Sequence, residues 1–190
     1  MKKDIILAGV GGQGIISVAA IIGLAALNKG MYLKQSEVHG MSQRGGDVMS
    51  NLRISDNEIY SDLIPFGQAD IIISLEPMES LRYLPYMNNE SWLISNTSPF
   101  VNIPNYPEIE KVYTEVKKVK NHILIPAEDM AKELGSDKVI NMIILGASAP
   151  HLGFSKDEML KAVQQMFKNK GQDVLDLNFK AFELGYNYKG

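Results

Sequence analysis

The sequence predicts an α/β fold: a three-layer sandwich on a mainly parallel sheet, with an inserted β-hairpin. Three observations predict it. Short apolar runs of strand character alternate with segments of helical periodicity along the whole chain. The first run ends in a glycine-rich turn that opens a helix. One stretch, 48–62, breaks that alternation and reads as two strands around a turn.

Residues 4–9 (DIILAG) form a short buried strand. Residues 13–27 follow as a helix, and Asn28-Lys29-Gly30 is a stop signal. Residues 31–35 then make a second strand, completing a βαβ unit. Residues 48–54 and 58–62 flank Ser55-Asp56-Asn57, a turn composition, and so predict the hairpin. Residues 69–75 (ADIIISL) are again a buried strand, and Glu76-Pro77 opens a helix to about residue 84, with proline at a first helical position. Residues 92–95 and 122–125 are short strands. Residues 107–118 have helical spacing, although their valines leave a strand open. Residues 127–134 read as a helix stopped by Gly135.

The last third is more helical. Residues 139–147 are apolar on most faces, which predicts burial. Ser155 with Glu158 fits a capping box ahead of a stripe of Met159, Leu160, Val163, Met166 and Phe167. Residues 174–184 complete the chain as a final helix.

Composition narrows the function. The 190 residues are 45% hydrophobic and 22% charged, which is globular usage and excludes a disordered chain. A net charge of -3 gives no whole-protein attraction to nucleic acid or an anionic membrane. Cysteine is absent, which excludes disulfides, thiolate-held zinc and a cysteine-ligated iron–sulfur cluster within these residues. The N-terminal apolar run is too short for a signal peptide, and no run approaches the ~18 apolar residues of a membrane helix. The expected location is the cytoplasm, with neither nucleic acid nor membrane as partner.

Gly9-Val10-Gly11-Gly12-Gln13-Gly14 matches G-x-G-x-x-G in the strand–turn–helix context that the motif requires, a Rossmann-like feature. Small residues let backbone amides approach an anion, and the helix N-terminus adds partial positive charge. The candidate cofactor-binding residues are Gly9, Gly11, Gly12, Gln13 and Gly14. A dinucleotide site also wants an acid about 20 residues on, near Glu37. The same glycines also suit a tight turn that binds nothing, and that alternative stays open. No Gly-Lys-Ser/Thr ending is present, so this is not the phosphate loop of nucleotide hydrolases.

A second polar stretch runs from Gln35 to Asp47 and places Ser, Glu, His, Gln and Arg among three glycines. Loops leaving the carboxyl ends of strands form the ligand crevice of an open α/β sheet, so the two loops should face each other. His39 can move a proton near neutral pH. Arg44 can hold a carboxylate or phosphate through two parallel hydrogen bonds. His39, Arg44 and Glu37 are the catalytic candidates; Ser36 and Arg44 join the cofactor-binding set, and no metal site is expected. The stretch can also order itself through a Glu37–Arg44 pair, or serve as an interface. No nucleophile elbow, His-x-x-x-His or recognisable carboxylate pair is present. His122 reads as structural and His151 as a loop residue.

These two loops resemble the gamma-type subunit or domain of the 2-oxoacid:ferredoxin oxidoreductases, most of all the small beta subunit of the indolepyruvate branch. The string Ser36-Glu37-Val38-His39-Gly40-Met41-Ser42-Gln43-Arg44-Gly45-Gly46 carries the likeness together with the glycine loop. Glu76-Pro77, Leu81-Arg82-Tyr83-Leu84, the Asn141 to Ala147 stretch and the Asn178 to Gly185 stretch extend it over nearly the whole chain, as one gamma-type domain spanning 1–190.

The resemblance implies oxidative decarboxylation of a 2-oxoacid with coenzyme A as co-substrate, giving acyl-CoA, carbon dioxide and reduced ferredoxin. For the indolepyruvate branch the acids are aryl pyruvates. It also implies thiamine diphosphate, magnesium and iron–sulfur clusters. With no cysteine and no Gly-Asp-Gly thiamine motif, this chain must leave those groups to a larger partner subunit, through which ferredoxin docks. The competing readings are a stand-alone Rossmann-type NAD(P)-binding protein and a purely structural assembly subunit.

Overall fold

The computed structural model describes residues 1–40, 45–101 and 103–189. The strands are β1 (Lys2–Val10), β2 (Tyr32–His39), β3 (Asp47–Ser55), β4 (Ala69–Ser74), β5 (Met87–Asn96) and β6 (Asn121–Ile125). The helices are α1 (Ile15–Asn28), α2 (Pro77–Arg82), α3 (Ile109–Val116), α4 (Ala127–Glu133), α5 (Ile140–Ser148), α6 (Lys156–Phe167) and α7 (Gln172–Tyr186). The strands form one sheet in the order β2-β3-β1-β4-β5-β6.

Alternation along each strand divides the core in two. Ile5 and Leu7 of β1 and Ile71 and Ile73 of β4 pack with α1, α4, α5, α6 and α7. Ile6, Ala8, Ile72 and Leu93 pack on the opposite face with Tyr83, Val116 of α3 and Ile64. Burial on both faces explains why these strands read as continuous apolar runs rather than alternating ones. The expected three-layer α/β class is the class observed.

Several local signals act as read. Ser155 accepts a hydrogen bond from the Glu158 N–H at 3.2 Å, and the Glu158 carboxylate accepts from the Ser155 N–H at 2.8 Å, closing the capping box on α6. Gly30, at φ +70°, ends α1 with bonds from the Gly30 N–H to Leu27 O and the Met31 N–H to Ala26 O. Gly135 ends α4 the same way, through Lys132 O and Ala131 O.

The hairpin is present but lies elsewhere. It joins β2 to β3, and residues 58–62 are no strand. Arg53 donates to the carbonyls of Ser61 and Leu63, and Asn51 Oδ1 accepts from the Ile64 N–H. Side chains thus satisfy this backbone, and it needs no ladder. The βαβ expectation is also corrected: β3 runs antiparallel between β1 and β2, pairing with both. β2 extends to His39 because its pairing continues to His39↔Val48, so Ser36, Glu37 and His39 sit on a strand rather than a loop.

Candidate functional site

The carboxyl end of β1 turns into α1 through residues 11–14. Gly9 is required by packing: a Cβ there would stand 2.7 Å from Gln13 Oε1 and 3.2 Å from Leu75 Cβ. Gln13 folds inward as a brace. Its Oε1 accepts from the Val10 N–H at 2.7 Å, and its Nε2 donates to Leu75 O at 3.2 Å. Gly14 is required twice over, by φ +88° and by Asn141 Nδ2, which a Cβ would approach to 2.5 Å. Gly12, at φ +105°, is different, because nothing lies within 4 Å of its Cβ position.

The glycine loop is tied to the β2–β3 connection. The Gly11 N–H donates to Gly46 O at 2.8 Å, and the Gly45 N–H donates to Gly11 O. The Gln13 N–H is likewise engaged, by Val10 O. Of the candidate loop residues, Gly11 and Gln13 therefore have their amides occupied. The N–H groups of Gly12, Gly14, Ile15 and Ile16 have no acceptor among the described residues, and α1 carries no acid in its first turn. They open into a cleft of about 450 Å³ lined by Gly11, Gly12, Gly14, Ser17, Glu37 and His39. The facing of the glycine loop and the second polar stretch, expected from topology, is thus realised through Glu37 and His39.

Ser36 does not join them. It pairs with Asn51 and projects from the opposite face of β2, where its hydroxyl has no partner among the described residues. Arg44 lies outside the described residues. His39 is exposed, with Nδ1 3.1 Å from Gly40 O. Glu37 supplies a carboxylate acceptor suited to a hydroxyl, beside the electropositive end of α1. The intervening β3 places Glu37 two strands from β1, roughly 10 Å away rather than the ~5 Å of adjacent strands in a dinucleotide fold.

A second cleft, of about 760 Å³, lies across the glycine loop and is lined in part by Gln13, Leu75, Asn96, Phe100, Lys132 and Asn141. Here β1 leads to α1 on one face and β4 leads to α2 on the other, which is the switch point of the sheet. Glu76 organises its rim. Almost fully buried, it caps α2 by accepting from the Glu79 N–H at 2.8 Å, and it also accepts from the Phe100 N–H and the Tyr106 hydroxyl. Burial, and then this bond, push the Tyr106 hydroxyl far above its usual range. Sequence reasoning did not find Asn96 or Phe100 as lining residues; the only local signal was a polar Ser95-Asn96 at the end of an apolar strand. His122, read as structural, sits near the Val119 carbonyl at 2.7 Å, and His151 stacks on Trp92.

Residues 4–188 match the family model for pyruvate ferredoxin/flavodoxin oxidoreductase. The chain belongs to this family. Among its relatives, the indolepyruvate oxidoreductase subunit IorB of Methanothermobacter thermautotrophicus is 37% identical over 193 residues, covering 98% of this chain and 97% of that one. The subunit of the same name from Archaeoglobus fulgidus is 34% identical over 196 residues, covering 98% and 95%. Among solved structures, the keto/oxoacid ferredoxin oxidoreductase gamma subunit of Geobacter sulfurreducens superposes with a TM-score of 0.72 at 26% identity, covering 97% of this chain and 96% of that one.

The groups implied by this oxidoreductase family do not fit this chain. Its 190 residues include no cysteine to ligate a cluster. Among the described residues no group of three or more His, Asp or Glu converges on a point where a magnesium–diphosphate site could form. No helix is long and apolar enough to cross a membrane among the residues described.

Proposed function

We propose that this chain is the non-cluster subunit of a heteromeric 2-oxoacid:ferredoxin oxidoreductase that oxidises aryl pyruvates such as indolepyruvate. The observation that carries this reading is the 37% identity, over nearly the full length of both chains, to an indolepyruvate oxidoreductase subunit. A larger cytoplasmic subunit holds thiamine diphosphate, magnesium and the iron–sulfur clusters and docks ferredoxin. The 2-oxoacid loses its carboxylate as carbon dioxide, the acyl carbon bonds to the sulfur of coenzyme A as the thiol gives up its proton, and the two electrons released reduce two ferredoxins. The present chain, a single domain over 1–190, supplies one wall of the site.

That wall is the cleft between α1 and β2. The free N–H groups of Gly12, Gly14, Ile15 and Ile16 meet a phosphate or carboxylate of a co-substrate. Glu37 accepts from a neighbouring hydroxyl, and His39 stands at the rim as a proton carrier. Arg44, taken from the sequence string alone, is the counter-ion. Exclusion of water at a subunit seam strengthens each contact. A stand-alone NAD(P) role is disfavoured because β3 separates Glu37 from the glycine loop by an extra strand.

The test is reconstitution. The isolated chain should reduce no dye with any aryl pyruvate, and the complex with the larger subunit should. Arg44→Ala in that complex should slow turnover ~30-fold, the loss of a buried charge-assisted bond of about 2 kcal/mol, without loss of assembly. Turnover by the chain alone, or micromolar binding of a dinucleotide to it, would overturn the reading.

A further inference from the structure

Residues 56–66 cross the face of β2 and β3 opposite α1 as a strap; Ile64 turns into the core, Phe66 rests its ring against Tyr86 at 4.7 Å between centroids, and Tyr60 and Leu63 project outward. Tyr60 is 85% exposed, Phe66 70% and Leu63 58%. Tyr32 and Val38, on the same face of the edge strand β2, are exposed as well. Within the strap itself, three large apolar side chains in seven residues are more than half exposed, a local concentration above the single exposed residues usual for a monomer.

The strap is rigidly held. Arg53 forms a bidentate pair with Asp4, Nε to Oδ1 at 2.7 Å and Nη2 to Oδ2 at 3.1 Å, with the carboxylate almost fully buried. The same guanidinium grips the carbonyls of Ser61 and Leu63 at 3.2 and 3.0 Å. Lys34 Nζ holds the Tyr60 carbonyl, and Ile64 plugs the core beneath. The fold thus uses a buried ion pair and five backbone contacts, counting the Asn51–Ile64 and Ser61–Leu63 bonds, to present rings to solvent. Preorganised aromatic anchors lose little entropy on binding, which suits them to the centre of an interface.

We infer that this strap is the surface on which the larger subunit docks, through an apolar pocket rimmed by lysine or arginine. Charge argues for that partner chemistry. Glu58 and Asp62 are exposed at the edge of the patch and make no ion pair among the described residues, whereas the cations beside them are engaged: Arg53 and Lys34 by the strap, and Arg53 and Lys2 by Asp4. Area argues for a protein: Tyr60 and Phe66, 85% and 70% exposed, at roughly 200 Å² per residue offer roughly 300 Å², over a third of the ~800 Å² that a standard interface takes from one partner. The inference rests on the proposed subunit role and adds to it the surface that assembly uses.

The experiment measures binding of the purified chain to the larger subunit encoded in the same genome. Tyr60→Ala with Phe66→Ala should weaken the Kd at least ~30-fold, while the melting temperature falls only by the few degrees that the lost Phe66–Tyr86 contact carries. Glu58→Lys with Asp62→Lys, which leaves every apolar contact in place, should slow association and reduce its dependence on salt. Leu27→Ala, exposed on α1 away from the strap, should bind as wild type. Normal affinity in both double variants would overturn the docking surface while leaving the subunit role intact. Failure of the unaltered chain to bind any thiamine- and cluster-bearing subunit would overturn the subunit role. Self-association of the chain that the strap variants abolish would assign the face to a second copy and overturn the inference.

Discussion

Gly146 of α5 and Gly185 of α7 lie face to face where the two helices cross, and their backbones touch. A Cβ on Gly146 would overlap the Phe182 carbonyl and stand 2.8 Å from Tyr186 N. A Cβ on Gly185 would overlap the Ile143 carbonyl and stand 3.0 Å from Ala147 N. Neither backbone can yield without parting the helices. Gly185→Ala should therefore destabilise the fold by about 3 kcal/mol or more, despite alanine's better helix propensity. Gly23→Ala in α1 meets only a Leu33 methyl at 3.3 Å and should change stability by less than ~1 kcal/mol. Urea denaturation of both variants checks the contrast.

The Asp4–Arg53 pair ties the first strand to the strap. Asp4→Asn removes the charge that the guanidinium faces in a site where Arg53 itself is only 14% exposed. The expected cost is ~3 kcal/mol, as for a buried pair that loses one partner. Hydrogen exchange should rise first in residues 56–66, ahead of the β1 and β4 amides. Uniform exchange across the domain would show that the pair does not anchor the strap.

In the cleft, Gly12 faces open space whereas Gly14 faces Asn141. Gly12→Ala adds only the strain of a positive φ, about 1 kcal/mol, and should fold. Gly12→Asp places a carboxylate among the free amides of α1. It should raise the KM of the anionic co-substrate in the reconstituted complex by ~10-fold or more, with kcat much less affected. Unchanged KM would remove this helix terminus from the site.

His151 stacks on Trp92 at 3.8 Å between ring centroids. Burial, and then the charge of Lys3, hold its pKa below the ordinary 6.5. Below that pH the unfolded chain binds a proton that the folded chain resists, so this contribution to stability is present above about pH 6.5 and lost as the pH falls. Melting temperature should therefore drop on acidification between about pH 7 and 5, and His151→Phe, which keeps a ring on Trp92, should reduce that slope. An identical slope in the variant would exclude His151 as its source.

Much of this molecule was legible in its residues because the relevant signals are local. The apolar runs at 4–9 and 69–75 marked strands buried on both faces. Ser155 and Glu158 marked a helix start three residues apart, and Gly30 and Gly135 marked helix ends, since only glycine takes the left-handed turn that closes them at no steric cost. The glycine loop and the polar stretch after it marked two segments that line one cleft. Strand neighbours are a different matter. Nothing near residue 48 says that β3 will wedge antiparallel between β1 and β2, because that pairing is set by contacts across the chain, such as the Gly11 N–H to Gly46 O bond. Side-chain facing depends on the same register: one residue separates Glu37, in the cleft, from Ser36, on the far face. The strap, too, depends on Arg53 reaching an aspartate 49 residues away. Local chemistry therefore determined the buried strands and the helix starts and stops, whereas pairing with β3 carried β2 on to His39 and side-chain bonds left 58–62 outside the sheet. Long-range pairing and burial decided which of their side chains meet, because those energies exist only once distant segments have been brought together.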